Sequence, residues 1–229
     1  MRVLTLAVSL VMVGSASAGV ASAAPPKCSD VGGITSGAGP TCVIQATEPA
    51  YTMNISFPTD FPNQNSVFDY VKQTRDGFLN VAKMPDSRGM PYELDTTTTQ
   101  YNSAVPPRGT QTVVFTTYQN VGGAHPQTFY KAFNWDQAYR KPITFENLFR
   151  EGTAPLPVIF PVIQAELAKQ SGLPDPVSPA AGLDPANYQN FAITNDALIF
   201  FFSQGELLPE SAGAVQVSVP RGPIDPMIA

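Results

Sequence analysis

The sequence of 229 residues predicts an α+β fold, a mainly antiparallel sheet covered by two principal helices, with one disulfide near the mature N-terminus. Segments that alternate apolar and polar residues outnumber those with helical spacing. Most are joined by short turns, drawn from 17 Gly and 23 Pro. No regular strand–helix–strand alternation recurs, as an all-parallel fold would require.

Val43–Phe57 reads as extended structure, with Tyr51, Met53, Ile55 and Phe57 alternating against Thr52, Asn54 and Ser56. Pro58 and Pro62 end it. The best helix runs from about Ser66 to Ala82, its apolar stripe made by Val67, Val71, Phe78 and Ala82 with Phe68 and Leu79 beside them. Ser66 followed by Asp69 resembles a capping box, and Pro85 closes the segment. Tyr92–Ala104, rich in Thr and Tyr, is the next strand. Pro106-Pro107-Arg108-Gly109 turns the chain into Thr110–Asn120, where Val113, Phe115 and Thr117 face one way and Val114, Thr116 and Tyr118 the other. Gly122-Gly123 then reverses it into Thr128–Trp135, which makes a hairpin.

Asp136–Lys141 is a connector, and Thr144 caps a short helical turn ending at Phe149. Ile159, Ile163 and Leu167 mark a second amphipathic helix ending near Gly172, with Pro161 expected in its first turn, where proline costs least. A Pro- and Ala-rich loop spans Leu173–Pro185. Phe191–Thr194 and Ala197–Ser203 are strands, and Leu198-Ile199-Phe200-Phe201-Phe202 is apolar on both faces, as a strand covered on both sides must be. Val215, Val217 and Val219 alternate with Gln216 and Ser218, a strand with one wet face, and Ile224–Ile228 closes as a helical turn.

Hydrophobic residues make up 43%, enough for a core, while charged residues reach only 14% against roughly 25% in an ordinary soluble domain. The formal charge of −5 argues against nucleic acid, which needs a basic stripe, and against electrostatic docking on anionic lipid. Met1-Arg2, the apolar run Val3–Val13 and the small residues through Ala23 form a secretory leader, cleaved after Ala23, with Ala18 the lesser option. The apolar run is too short to span a bilayer, and no later segment is long enough. Residues 24–229 are therefore expected as a single domain, secreted and extracellular. Cys28 and Cys42, the two cysteines of an exported chain, are expected to pair. The bridge closes a loop of about 15 residues, worth roughly 3 kcal/mol in the chain-entropy account.

Chemistry is sparse. His125, the single histidine, lies in a Gly-rich turn, but no Gly-x-Ser-x-Gly elbow accompanies it, so an imidazole that braces the turn is the favoured reading over a triad member. One histidine and two paired cysteines leave zinc without ligands, and neither a calcium loop nor a phosphate loop occurs, so no metal or cofactor is expected. Glu206 and Glu210 follow the most buried strand and have the residue types of a glycosidase acid/base pair, although Pro209 breaks any helix that would align them. Trp135, Tyr139 and Arg140 carry the side chains enriched at binding hot spots, and with His125 they make up the candidate binding surface. Their structural reading is an anchored strand end beside an exposed Asp136–Arg140 pair.

Tyr51-Thr-Met-Asn-Ile-Ser-Phe-Pro58, Pro106-Pro-Arg-Gly-Thr-Gln111, the run Tyr130–Ile143, Gly182–Phe191 and Phe201-Phe202 with Gly205–Pro209 together closely resemble the secreted mycobacterial immunogenic proteins, antigens of the culture filtrate. The likeness covers nearly the whole chain and is weakest at Ser29–Pro40 and Lys83–Met90. The second half, about 122–219, resembles a cell-envelope domain of unknown function shared with the lysozyme-sensing anti-sigma factor ectodomain and with regions attached to peptidoglycan deacetylases; its mark is Gly122-Gly-Ala-His-Pro126. The resemblance implies a monomeric, non-enzymatic, antigenic binding protein with an unknown protein or cell-wall partner and no catalytic residues. The alternative is a carbohydrate- or peptidoglycan-acting hydrolase using Glu206 and Glu210.

Overall fold

The computed structural model describes residues 24–37, 39–84, 91–104, 109–123 and 125–229; the leader and its cleavage site, Pro85 and the 106–108 turn lie outside them. A 3-10 turn at Cys28–Val31 leads into β1 (Ile34–Ser36), β2 (Thr41–Glu48) and β3 (Tyr51–Pro58). β2 and β3 pair antiparallel, with Glu48 opposite Tyr51. The stretch expected as one extended segment is thus a hairpin, reversed at Pro49-Ala50, where proline has no N–H to continue a ladder. Cys28 and Cys42 are disulfide-bonded, with Cα atoms 5.5 Å apart. Gly33 lies against the bridge: a Cβ there would come within 2.7 Å of both sulfurs.

α1 (Gln64–Ala82) buries Val67, Phe68, Val71, Phe78 and Ala82, as the stripe predicts. Its cap is Asn63 rather than Ser66, and the Ser66–Asp69 box does not form. Gln64 Nε2 instead donates to Phe61 O, tying the first turn to the preceding loop. β4 (Tyr92–Ser103) returns parallel to β3, with Ile55 opposite Thr96, so α1 is a crossover connection. β5 (Thr110–Asn120) and β6 (Gln127–Asp136) form the expected hairpin, and the short β7 (Lys141–Ile143) completes a seven-stranded sheet in chain order.

α2 (Phe145–Leu148) is capped by Thr144, whose Oγ1 accepts from Asn147 N while the Asn147 side chain accepts from Thr144 N. α3 (Leu156–Ser171) places Pro161 in its interior, not its first turn, because the helix begins at Leu156, after the N-cap Pro155. The proline removes a backbone bond and costs about 3 kcal/mol, which burial of Ile159, Ile163 and Leu167 at 0% exposure offsets. The expected loop from Leu173 contains a short α4 (Pro179–Gly182), followed by a 3-10 turn at Pro185–Tyr188. β8 (Phe191–Ile193), β9 (Ala197–Phe202) and β10 (Val215–Pro220) form a second, antiparallel sheet in the order β10-β9-β8.

The elements stack in four layers. α1 packs on one face of the large sheet through Ile55, Phe57, Leu94, Val113 and Phe115. The opposite face meets the small sheet through Tyr101, Val114, Tyr130 and Ala132 against Ala192, Ile199 and Phe201. The far side of the small sheet (Phe191, Leu198, Phe200, Phe202, Val217 and Val219) packs on α3, so β9 is covered on both faces as its sequence predicts. Two hydrogen bonds link the sheets: Asn134 Nδ2 donates to Phe191 O, and Ala132 N donates to Asn190 Oδ1. Arg221, 2% exposed, donates to Asp225 Oδ1, Ser103 Oγ and Thr194 O, which joins β4 to the small sheet.

Candidate functional site

The turn between β5 and β6 is shaped by Gly122 at φ 67°, with its N–H donated to Asn120 Oδ1. A Cβ at Gly122 would sit 3.0 Å from the Tyr92 ring, so both the positive φ and the close approach call for glycine. This turn delivers His125 to the start of β6 with its side chain exposed. Opposite stands the loop after β9. Gln204 N donates to Thr128 O, Thr128 N donates to Gln204 Oε1, and Tyr130 N donates to Ser203 Oγ. Three bonds therefore staple this loop to β6, which begins two residues after His125.

Gly205, at φ 80°, lets Glu210 fold back over it; a Cβ there would lie 3.1 Å from Glu210 Cγ. A 3-10 turn at Glu210–Ala212 then places Glu210 and Ser211 in one cleft with His125, Pro126, Gln204 and Gly213, a volume of about 450 Å³. Gly122 and Gly205 are where positive φ is needed for the two walls to face each other.

The two carboxylates weighed as a pair have separate environments. Glu210 lines the His125 cleft. Glu206 turns back, its Oε2 accepting from Ser203 N at 2.6 Å. Although much of its side chain is exposed, enclosure of the carboxyl by the loop pushes its pKa up, and the bonds from Ser203 pull the other way. A glycosidase needs its carboxylates on either side of the scissile bond, and these two leave the same short loop.

Trp135, Tyr139 and Arg140 lie at the other end of β6. Ten residues separate His125 from Trp135, roughly 30 Å along a strand, so the structure does not gather the four into one surface. Trp135 is half-buried against the α1-side core. Asp136 is 5% exposed, and its Oδ1 accepts from Ala138 N and Tyr139 N, so the expected exposed Asp136–Arg140 pair is replaced by a capped turn. Arg140 is exposed in that turn at φ 51°, while Lys141 Nζ lies 5.2 Å from the centroid of the Tyr139 ring. Among the described residues, no group of three or more His, Cys, Asp or Glu side chains can hold a metal.

A second cleft, absent from the sequence reading, opens where α2, the 150–157 segment and the 183–185 segment after α4 converge. Phe145, Phe149, Pro155, Leu156, Leu183 and Pro185 form its apolar walls, and its volume is about 510 Å³. Glu146 and Arg150 stand at its rim. Bonds from the Glu146 N–H, Thr144 and Gln189 hold the Glu146 carboxyl below the usual range. Arg150 Nε donates to Ile228 O, fixing the C-terminal segment beneath the cleft. The signal in the sequence was slight: Leu183 lies in the Pro- and Ala-rich loop expected over Leu173–Pro185, and nothing marks Pro155-Leu156-Pro157 as part of a site. Ser211 was equally inconspicuous, because Pro209-Glu210-Ser211-Ala212-Gly213 matches no nucleophile motif.

Residues 146–222 match the family described as "Protein of unknown function (DUF3298)". The whole chain is similar to immunogenic protein MPT64 of Mycobacterium tuberculosis, 56% identical over 212 residues that cover 92% of each chain. It is also similar to esterase Rv3036c of the same species, 50% identical over 220 residues covering 96% of this chain and 95% of that one. A crystal structure of a DUF3298 family protein from Pseudomonas aeruginosa PAO1 superposes with a TM-score of 0.53 at 14% identity, covering 83% of this chain and 94% of that one, a likeness of fold. No described helix is long and apolar enough to cross a membrane.

Proposed function

The chain belongs to the family of mycobacterial immunogenic proteins that includes MPT64, and on that premise we propose that it is an exported, antigenic binding protein that takes an apolar ligand in the cleft between α2, α3 and α4. In this reading the leader is removed after Ala23, and residues 24–229 act as one monomeric domain that binds a cell-wall or host component. The observation that carries it is the cleft of about 510 Å³, walled by two phenylalanines, two leucines and prolines, with no His, Cys or Ser in its lining. Ligand pockets run from about 300 to 1,000 Å³ and combine apolar walls with a few polar groups; Glu146 and Arg150 supply those here. Fluorescence titration with a polyene fatty acid probe tests it. Saturable binding is expected, weakened at least tenfold by Leu183→Glu, a change at a residue 45% exposed and therefore tolerated by the fold. Absence of saturation, or identical binding by the variant, removes the reading.

Hydrolysis is the second reading, and the 50% identity to a protein named esterase supports it. In its carbohydrate form Glu206 and Glu210 do the work. Incubation with peptidoglycan and aryl glycosides, alongside Glu206→Gln and Glu210→Gln, tests that form: turnover abolished by both substitutions supports it, and no turnover excludes it.

A further inference from the structure

We propose that the cleft between His125 and the 203–213 loop is an ester-hydrolysing site, with Ser211 as nucleophile and His125 as general base; this deepens the hydrolytic reading with a different pair of residues. The chain has a single histidine, and the fold brings it into one cleft of about 450 Å³ with a hydroxyl, a carboxylate and an amide. Ser211, Glu210 and Gln204 supply these from one loop, and the three bonds that join Ser203 and Gln204 to Thr128 and Tyr130 fix that loop to β6, which begins two residues after His125. A serine hydroxyl is a weak nucleophile until an adjacent base takes its proton, and the pairing of nucleophile and base is the part of a triad that geometry must supply.

Each residue then has a role. Ser211 Oγ attacks the ester carbonyl carbon and passes its proton to His125. The tetrahedral intermediate expels the alcohol, which takes that proton, and Ser211 is left acylated. His125 next deprotonates a water molecule, which attacks the acyl carbonyl; the carboxylic acid departs and the proton returns to Ser211. One ester and one water give one acid and one alcohol. Glu210 stabilises the imidazolium by charge. Gln204 has its amide oxygen committed to Thr128 N, which leaves the amide NH₂ as the donor for the developing oxyanion. Glu210 lines the cleft and Glu206 leaves the same loop, which makes its surroundings acidic. Neutral esters therefore suit it, and anionic ones do not.

The test uses the purified disulfide-intact protein with p-nitrophenyl acetate and butyrate, and a fluorophosphonate probe read by peptide mass spectrometry. Hydrolysis above that of heat-denatured protein is expected, with the probe on Ser211. Ser211→Ala and His125→Ala should each lower kcat/KM by about 100-fold or more, the usual scale of general-base catalysis, with circular dichroism unchanged. Lys72→Gln, at an exposed position on α1, should retain the rate. Hydrolysis that survives Ser211→Ala, or labelling elsewhere, overturns this assignment while leaving hydrolysis standing. No hydrolysis by any form removes both. Loss of rate in Leu183→Glu but not in Ser211→Ala would move the chemistry to the apolar cleft.

Discussion

Replacing Tyr188 with Phe should weaken the protein at neutral pH and protect it at high pH. Tyr188 is fully buried, and its hydroxyl donates to Gly182 O at 2.6 Å. Its ring meets Phe200 and Phe202 edge to face and stacks on Phe145. Phe keeps the ring contacts and removes the hydrogen bond, leaving the Gly182 carbonyl without this donor, at a cost of about 1–3 kcal/mol. The pH dependence has the opposite sign. Burial pushes the phenol from its ordinary 10.0 to about 12. Between those values the unfolded chain has lost the proton and the folded one keeps it, so stability falls as pH rises through that window. The difference corresponds to roughly 3 kcal/mol lost by the parent protein and spared in the variant. Urea unfolding followed by circular dichroism at pH 7, 10 and 11.5 measures both. The variant should be the less stable at pH 7, and the gap should close or reverse by pH 11.5. A gap independent of pH would falsify the burial argument.

Three further outcomes follow from the packing. The double change Cys28→Ser with Cys42→Ser should cost about 3 kcal/mol, and Gly33→Ala should impose a comparable loss because its methyl meets both sulfurs; matched thermal melts compare them, and a neutral Gly33→Ala refutes the contact. Pro161→Ala should raise stability by up to about 3 kcal/mol by restoring an interior helix bond at an exposed position; an unchanged urea midpoint argues against this. Arg221→Met should cost about 2–4 kcal/mol, since it strips donors from a buried junction while preserving length; calorimetry showing less than about 1 kcal/mol would contradict the junction's weight.

Local signals carried the fold wherever they were strong. The stripe of α1, the two-faced β9 and the Thr144 cap all stand where spacing placed them. Pro161 misled because propensity is a local quantity, while the burial of Ile159, Ile163 and Leu167 that outweighs it is tertiary. The 43–57 hairpin was missed because Pro49 alone interrupts two stretches of matching composition. The sites were far less legible. His125 was singled out, but its cleft partners Glu210 and Ser211 arrive from 85 and 86 positions further along the chain, a distance no local pattern encodes. The apolar cleft has no motif at all; it exists because α2 and α4 leave a gap that their side chains do not fill. A relative named esterase also shows that the scarcity of motifs was weak ground for expecting no enzyme.

The large sheet is a wall common to two interiors, with α1 against one side and the small sheet against the other. Amputation of either half would therefore strip both. A fragment ending before residue 190 bares Tyr101, Val114, Tyr130 and Ala132 to water, while an isolated piece spanning 146–222 forfeits the strands that shield Ala192 and Phe201. Antibodies raised against conformational epitopes should accordingly discriminate between the intact protein and recombinant segments even where the segment contains every residue the antibody touches.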